Sequence, residues 1–433
     1  LRDVPDGADA KPSGARLTWD PDAYLDSLEP IGWRLGLERM HRLTTALGLP
    51  QHRFGSIHVV GTNGKSSVAR MTAALLEAQG VAAGACLSPH TDRWAERTLI
   101  GGRQIEPDAW ARAVETVARA AEGVNRSLEE GDAVTQFEAA TAATFVALAT
   151  ARVKAAAIEA GLGGRLDATN TIPSRVTVLT SIGLDHTEWL GETELEIAAE
   201  KLAVLRDQTT LVLGRVSPAV AELAARTTAE RGARLVRAPE DPGADLRLLA
   251  PGGFQRRNFA LARAAAEAYL GEPLASELVA EVAASVAIPG RLERIAAGPA
   301  VYVDAAHNPD GVAALAEALP ALAGRRRVVG CLAILADKDA AAMVAELAPA
   351  LERAVCTELP AAALAAHGRP GARSRTAAEL AGLCEEAGLT AEAEPDFASA
   401  LGRATALASE PPEGLVLVAG SHYGIAPARA AVA

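Results

Sequence analysis

A short apolar run, Ser56-Ile57-His58-Val59-Val60, breaks into Gly61-Thr62-Asn63-Gly64-Lys65-Ser66-Ser67 and leads directly into Val68 to Gln79, where Val68, Met71, Leu75 and Leu76 share one face. A β-branched stretch, a glycine-bounded turn and a helical period in succession read as strand, phosphate loop and helix. Glycines let the backbone curl with its N–H groups inward, the helix N-terminus adds a positive dipole end, and a lysine reaches the terminal phosphates. Hydroxyls after the lysine are placed for phosphate or its magnesium. The spacing is not the long Walker pattern, because Val59 stands five residues before Gly64. The competing reading is an ordinary tight turn with a surface lysine, which the flanking strand and helix disfavour.

The chain then alternates. Val81–Leu87, Ala155–Ala160, Val176–Ile182 and Thr210–Gly214 read as strands, with helical patterns at Asp108–Ala121, Phe137–Ala149 and Pro218–Arg231 among them. Strands separated by helical crossovers predict a mostly parallel, doubly wound sheet with ligands at the carboxyl ends of the strands. Near residue 287 the pattern restarts after Ile288-Pro289-Gly290, with strands at Ala300–Asp304, Arg327–Leu332, Ala354–Thr357 and Leu415–Ala419. The predicted fold class is α/β: a P-loop N-terminal domain at 15–287, a linker at 288–292 and a smaller Rossmann-like α/β C-terminal domain at 293–433. Residues 1–14 read as a disordered lead, and Pro21 to Leu47 as two helices broken at Pro30-Ile31-Gly32.

Composition narrows the class. A length of 433 residues, 49% hydrophobic and 22% charged, suits a soluble enzyme of two or three domains. The net charge of −12 argues against a nucleic-acid surface, and the one tight basic run, Arg325-Arg326-Arg327, reads as a solvated strand end. Cys86, Cys331, Cys356 and Cys384 are far apart and lack metal-binding spacing, as expected of buried thiols in a reducing compartment. No run approaches membrane-spanning length, and Leu1 to Lys11 lacks a basic-then-apolar signal. These features predict a cytoplasmic protein without membrane or nucleic-acid partners.

Polar groups cluster where the first domain's strands end. Ser88-Pro89-His90 follows the second strand; alone it reads equally as a turn with an exposed histidine or as part of a ligand site. Glu159 ends an apolar strand and opens Glu159-Ala160-Gly161-Leu162-Gly163-Gly164-Arg165-Leu166-Asp167-Ala168-Thr169-Asn170. A carboxylate there is costly to bury unless it meets a cation, so it is a metal-ligand candidate, with a salt-bridged glutamate as the plainer reading. Asp185-His186 lies beyond the next strand. Magnesium prefers oxygen ligands, so composition alone does not assign His186 to it.

Taken together, GTNGKSS, SPH, the IEAGLGGRLDATN run, SIGLDHTEWLG with Glu200-Lys201 downstream, Pro289-Gly290-Arg291-Leu292-Glu293 and Asp304-Ala305-Ala306-His307-Asn308-Pro309-Asp310-Gly311 fall in an order that resembles folylpolyglutamate synthases and bifunctional dihydrofolate synthases of the Mur ligase superfamily. The resemblance runs from about Leu35 to Gly424. It implies that Gly61, Thr62, Asn63, Gly64, Lys65, Ser66 and Ser67 bind the ATP phosphates, although the family more often has glycine at position 66. It implies further that Ser88, Glu159 and His186 ligate two Mg2+ ions, and that Lys201 is the lysine carbamylated by carbon dioxide. Gln255 and Asn258 match the nucleotide-facing segment, although FQRRNF stands where HQxxNA is usual. Arg291 and His307 are expected to reach phosphate from the second domain, and Asp304 the ribose. Thr135, Phe137, Asp167 and Ala168 match the pterin side, with Phe137 offering a stacking face that core packing would equally explain. Asp337-Lys338 and Ser421-His422 match family segments as well, the latter on the glutamate side.

The implied reaction is ATP-dependent addition of L-glutamate to dihydropteroate or a reduced folate through an acyl phosphate, by a monomer. Lys65, Lys201 and His307 are its catalytic candidates. Alternatives are a monofunctional folylpolyglutamate synthase or a Mur-type ligase for another carboxylate. A cell-wall ligase needs a further domain before the loop, and Gly61 is expected to lie too early for one. A P-loop kinase explains Lys65 but not Asp304–Pro309, and a non-catalytic regulator should lack one of Lys65, Glu159, His186, Lys201 or His307. Lys65→Ala is expected to abolish product formation while the thermal unfolding transition stays in place; near-normal turnover would contradict the phosphate-loop assignment.

Overall fold

The computed structural model describes residues 19–29, 36–365 and 371–433. The expected lead at 1–14 and the break at Pro30-Ile31-Gly32 lie outside the described residues. Helices Pro21–Ser27 and Glu38–Ala46 stand on either side of that break.

Among the described residues the chain forms two sheets. Strands β1 (Gly55–Val60), β2 (Ala83–Cys86), β3 (Thr98–Ile100), β4 (Arg103–Gln104), β5 (Ala155–Glu159), β6 (Ser174–Leu179), β7 (Thr210–Leu213) and β8 (Arg234–Arg237) build the first, ordered β4-β3-β2-β5-β1-β6-β7-β8. From β2 to β8 neighbours run parallel, and β3 and β4 add an antiparallel edge. Register puts Val59 of β1 beside Glu159 of β5 and Val178 of β6. The loop after β1 therefore emerges next to Glu159.

The alanine-rich β5 is buried throughout because helices cover both faces of the sheet. Its alternate side chains go to opposite cores. Ala155 and Ala157 join the layer built with helices Lys65–Ala78, Gly253–Leu270 and Ser276–Ser285. Ala156 and Ile158 join that of Glu38–Ala46, Pro107–Asn125 and Gln136–Thr150.

The second sheet comprises β9 (Glu293–Ala297), β10 (Ala300–Val303), β11 (Val328–Leu332), β12 (Arg353–Cys356), β13 (Thr390–Ala393) and β14 (Leu415–Ala419), ordered β13-β12-β11-β14-β10-β9. Its neighbours are parallel except β9 against β10. Helix Pro309–Ala323 starts where β10 leads into Asp304–Asn308, with the Asn308 side chain capping Gly311 N–H.

The strands sequence patterns missed are edge or near-edge ones: β3, β4, β8, β9 and β13 are short, and β4, β8, β9 and β13 lack fully buried residues. Half-exposed edges carry little apolar alternation, so pattern reading passes over them. Glu293–Ala297 thus follows the linker as a strand. The expected strand to Ile182 ends at Leu179 for a different reason. Thr180 and Ser181 turn to the phosphate loop, where Thr62 N–H donates to Ser181 O at 2.8 Å, Asn63 N–H to Ser181 Oγ at 3.1 Å and Thr180 Oγ1 to Asn63 O at 2.7 Å.

Phe259 is fully buried on helix Gly253–Leu270, which packs along the loop helix Lys65–Ala78. Phe259→Ala is expected to cost about 3–5 kcal/mol in urea unfolding. A loss below about 1 kcal/mol would show that this helix does not brace the loop helix.

Candidate active site

Gly64 adopts φ +85°, and a Cβ there would stand 2.6 Å from Asn258 Oδ1, so the loop lies closely on helix Gly253–Leu270. Gln255, on the same helix, is fully buried; its Nε2 donates to Ser67 Oγ at 3.3 Å and its Oε1 accepts from Asn258 at 3.1 Å. Asn258 lines the cavity beside the loop, whereas Gln255 braces the loop from behind. Phe254, in place of the usual histidine, lines that cavity too.

Two cavities open at the strand ends. One, of about 920 Å³, is lined by Asn63 to Ser67, Glu159, Asn258, Arg291 and Asp304 among others. The second, of about 270 Å³, is lined by Arg39, Thr135, Phe137, Asp167, Ala168, His186, Lys201 and the second-domain residues Lys338 and Ser421 to Tyr423. Thr62, Lys65, Ser88, Pro89 and His307 line both. The cavities therefore meet at the loop lysine.

Lys65 Nζ donates to Thr62 O at 3.0 Å. Glu159 is buried and accepts from Ser66 Oγ and from Ser88 N–H, each at 2.8 Å. Burial raises its pKa, and Lys65 acts most strongly against that rise. His186 adopts φ 53°; burial lowers its pKa to about 4, leaving a neutral imidazole at physiological pH. Lys201 is buried on helix Glu194–Leu202, and burial reinforced by Lys65 lowers its pKa to about 7. No group of three or more His, Cys, Asp or Glu placed to hold a metal occurs among the described residues. A magnesium bound through one carboxylate, a hydroxyl and nucleotide phosphates requires none, and Glu159 with Ser88 at the edge of the loop fits that donor set.

Several predicted ligand contacts are already engaged within the protein. Asp304 Oδ2 accepts from Leu292 N–H and Oδ1 from Ala306 N–H, both at 2.8 Å, so its carboxylate pins the linker to β10 and its terminus. Asp167 accepts from Leu162 N–H at 2.8 Å and Thr169 N–H at 3.0 Å, shaping the turn after β5. Thr135 caps helix Gln136–Thr150 in a capping box with Glu138. Phe137 keeps its ring against Gly161, where any Cβ would collide with it, and faces the smaller cavity. Arg291 lines the larger cavity, its guanidinium donating to Gly290 O at 3.1 Å.

What joins the halves is Asp185, which sequence reasoning passed over in favour of its neighbour. Its carboxylate accepts from Lys338 Nζ at 2.7 Å and Asn308 Nδ2 at 3.0 Å, and lies 3.5 Å from His307 Nε2. Burial opposes ionisation, but the hydrogen bond from His307, with Lys338 beside it, holds the carboxyl well below its usual range. Asn63 and Asn308 exchange amide hydrogen bonds at 3.1 Å. Arg39 pairs with buried Glu138 at 3.1 Å, a contact across 99 residues that no local pattern announces.

The family models that match are "Mur ligase middle domain" over residues 59–248 and "Mur ligase, glutamate ligase domain" over 290–422. The Mycobacterium tuberculosis dihydrofolate synthase/folylpolyglutamate synthase is 35% identical over 411 residues, covering 84% of this chain and 84% of the relative. The chain belongs to the dihydrofolate synthase/folylpolyglutamate synthase family of Mur ligases. The Escherichia coli member is 31% identical, covering 78% of this chain and 81% of its own. The M. tuberculosis folylpolyglutamate synthase complexed with ADP and AMPPCP superposes with a TM-score of 0.84 at 32% identity, over 94% of this chain and 96% of that one. E. coli FolC in complex with DHPP and ADP gives 0.78 at 28%, over 94% and 95%. As a member of this family the chain is an ATP-dependent glutamate ligase with the two-domain Mur ligase fold.

Lys338 and Asp185 are both largely shielded from water, with side-chain exposures of 10% and 9%. Lys338→Met is expected to weaken the interdomain contact by about 3–5 kcal/mol and lower kcat at least about tenfold. Small-angle scattering that shows no opening, together with unchanged turnover, would contradict the pinning role.

Proposed function

We propose that this ligase uses both dihydropteroate and reduced folates as acceptors for L-glutamate. The observation that carries the reading is the meeting of the two cavities along Lys65, Ser88 and His307. A triphosphate cradled by Gly61–Ser67 in the larger cavity would present its γ-phosphate at that seam. An aromatic acid entering past Phe137 would bring its carboxylate there from the other side. Dual naming of the M. tuberculosis and E. coli relatives, and DHPP in the E. coli FolC complex, support dihydropteroate as one acceptor.

The chemistry follows from charge. Carboxylate attack on a γ-phosphorus brings two anions together, which Lys65 offsets at the point of contact. The acyl phosphate has a good leaving group; the glutamate amine attacks it, a tetrahedral intermediate collapses, and phosphate departs. Water would hydrolyse the acyl phosphate, so the halves joined at Asp185 exclude it. Ser88 and Glu159 at one side of the seam, and neutral His186 at the other, would hold Mg2+, which supplies charge neutralisation on the phosphates. Asn258 and Arg291 serve the nucleotide, with Gln255 and Asp304 as positioning residues. Phe137 would stack on the pterin, with Asp167 and Ala168 shaping the turn beside it.

Lys201 has no carboxylate partner within ion-pair distance among the described residues, and its lowered pKa leaves much of it as free amine near neutrality. A neutral amine is the form that adds carbon dioxide, so we take Lys201 as carbamylated in the active enzyme. In this reading the protein acts as a monomer in the cytoplasm, with 15–287 and 293–433 as its two domains. Among the described residues no helix is long and apolar enough to cross a membrane.

Mass spectrometry after incubation with ATP, Mg2+ and L-glutamate tests the reading. One glutamate added to dihydropteroate and serial additions to tetrahydrofolate are expected; addition to the reduced folate alone would leave a monofunctional synthase, and addition to neither would defeat the proposal. A second test is of carbon dioxide. Below the Lys201 pKa the amine is increasingly protonated, so stripping carbon dioxide at about pH 6 should lower activity and bicarbonate should restore it. Activity indifferent to bicarbonate would remove the carbamate.

A further inference from the structure

His58 is fully buried in β1 and has no role in the ligand contacts described above. Ile57 and Val59 point into the core shared with the loop helix, so alternation turns His58 to the opposite face of the sheet. There its Nε2 meets Thr169 Oγ1 at 2.9 Å, and the same hydroxyl bonds Asp167 Oδ1. His58 Nδ1 has no partner among the described residues.

Counting protons gives this chain a direction. Asp167 accepts a backbone N–H on each oxygen, from Thr169 on Oδ1 at 3.0 Å and from Leu162 on Oδ2 at 2.8 Å. Burial raises its pKa, and the Thr169 and Leu162 donors act against that rise by stabilising the carboxylate. A carboxylate only accepts, so the one Thr169 hydroxyl proton goes to Asp167 and His58 donates to Thr169 through Nε2–H. Burial, with Arg206 nearby, lowers the His58 pKa to about 3, so the ring is neutral and carries that single proton. Nδ1 is then the bare nitrogen, in keeping with its lack of a partner.

The chain ends at the wall of the smaller cavity. Leu162, whose N–H Asp167 holds, follows Gly161, where a Cβ would collide with the Phe137 ring. Phe137, Gly161, Leu162 and Asp167 all line that cavity, whereas His58 lies behind it. We infer that His58 is a positioning residue for the acceptor: through Thr169 and Asp167 it sets the Gly161–Leu162 backbone against which Phe137 rests, and so registers the aromatic wall on the strand that carries the phosphate loop. The inference rests on the reading above that an aromatic acid enters past Phe137.

His58→Leu and Thr169→Val, each beside a conservative counterpart, His58→Gln and Thr169→Ser, test it with dihydropteroate and tetrahydrofolate as acceptors. The acceptor KM should rise about tenfold in His58→Leu and Thr169→Val and stay within about threefold of the parent in His58→Gln and Thr169→Ser. KM for ATP and for L-glutamate should stay within about threefold in all four. A purely structural pair would lower the thermal transition and leave the acceptor KM in place; that result, or a rise shared equally by ATP, overturns the assignment. If neither His58→Leu nor Thr169→Val folds, nitrogen-15 NMR of the histidine-labelled parent decides. His58 should be the Nε2–H tautomer, with signals that move when dihydropteroate binds; the other tautomer, or signals indifferent to the acceptor, overturns the assignment. A parent enzyme that adds glutamate to neither acceptor would instead defeat the functional reading.

Discussion

A carboxylate removed from water must be met by positive charge and hydrogen-bond donors, and at Asp185 these come from both halves of the molecule. The His186 backbone N–H donates to it at 3.0 Å from the first domain; Lys338, Asn308 and His307 arrive from the second. The ion is retained only while the halves are together, so the cleft has one preferred closed arrangement. Asn63 of the phosphate loop bonds Asn308 in the same cluster, which ties the position of the loop to that of the second domain. The nucleotide cradle and the interdomain contact are thus parts of one network.

That network explains why the chemistry sits where it does. Parallel strands deliver β1, β5 and β6 to one edge, so the loop, Glu159 and the Asp185-His186 pair emerge side by side. The second domain closes over this edge with His307, leaving the larger cavity on one side of it and the smaller on the other. A reaction that must join a triphosphate to a carboxylate, and then shield the product from water, needs that division with Lys65 at its centre.

Much of this was legible in the chain. The strand, loop and helix at Ser56–Gln79 were plain because a change of hydrophobic period coincides with glycines and a lysine. The restart after Pro289-Gly290 and the strand-end clusters at Glu159 and Asp185-His186 were legible for similar reasons. The edge strands β8, β9 and β13 were not, since half-exposed residues lose their alternation. Within the site, sequence gave residue types but not their partners. Asp304 lines the larger cavity and Asp167 the smaller, and both carboxylates also hold backbone N–H groups of nearby turns, a second task that no local pattern announces. Asp185 and Arg39 were overlooked because their partners, Lys338 and Glu138, are 153 and 99 residues away.

The central claim is that a carboxylate entering from the smaller cavity attacks the γ-phosphate at the Lys65 seam before glutamate reacts. Dihydropteroate labelled with oxygen-18 in both carboxylate oxygens tests this most directly. The account predicts that each turnover transfers one labelled oxygen to the released inorganic phosphate and keeps the other in the new amide. Phosphate released without label, alongside normal glutamate addition, would contradict it.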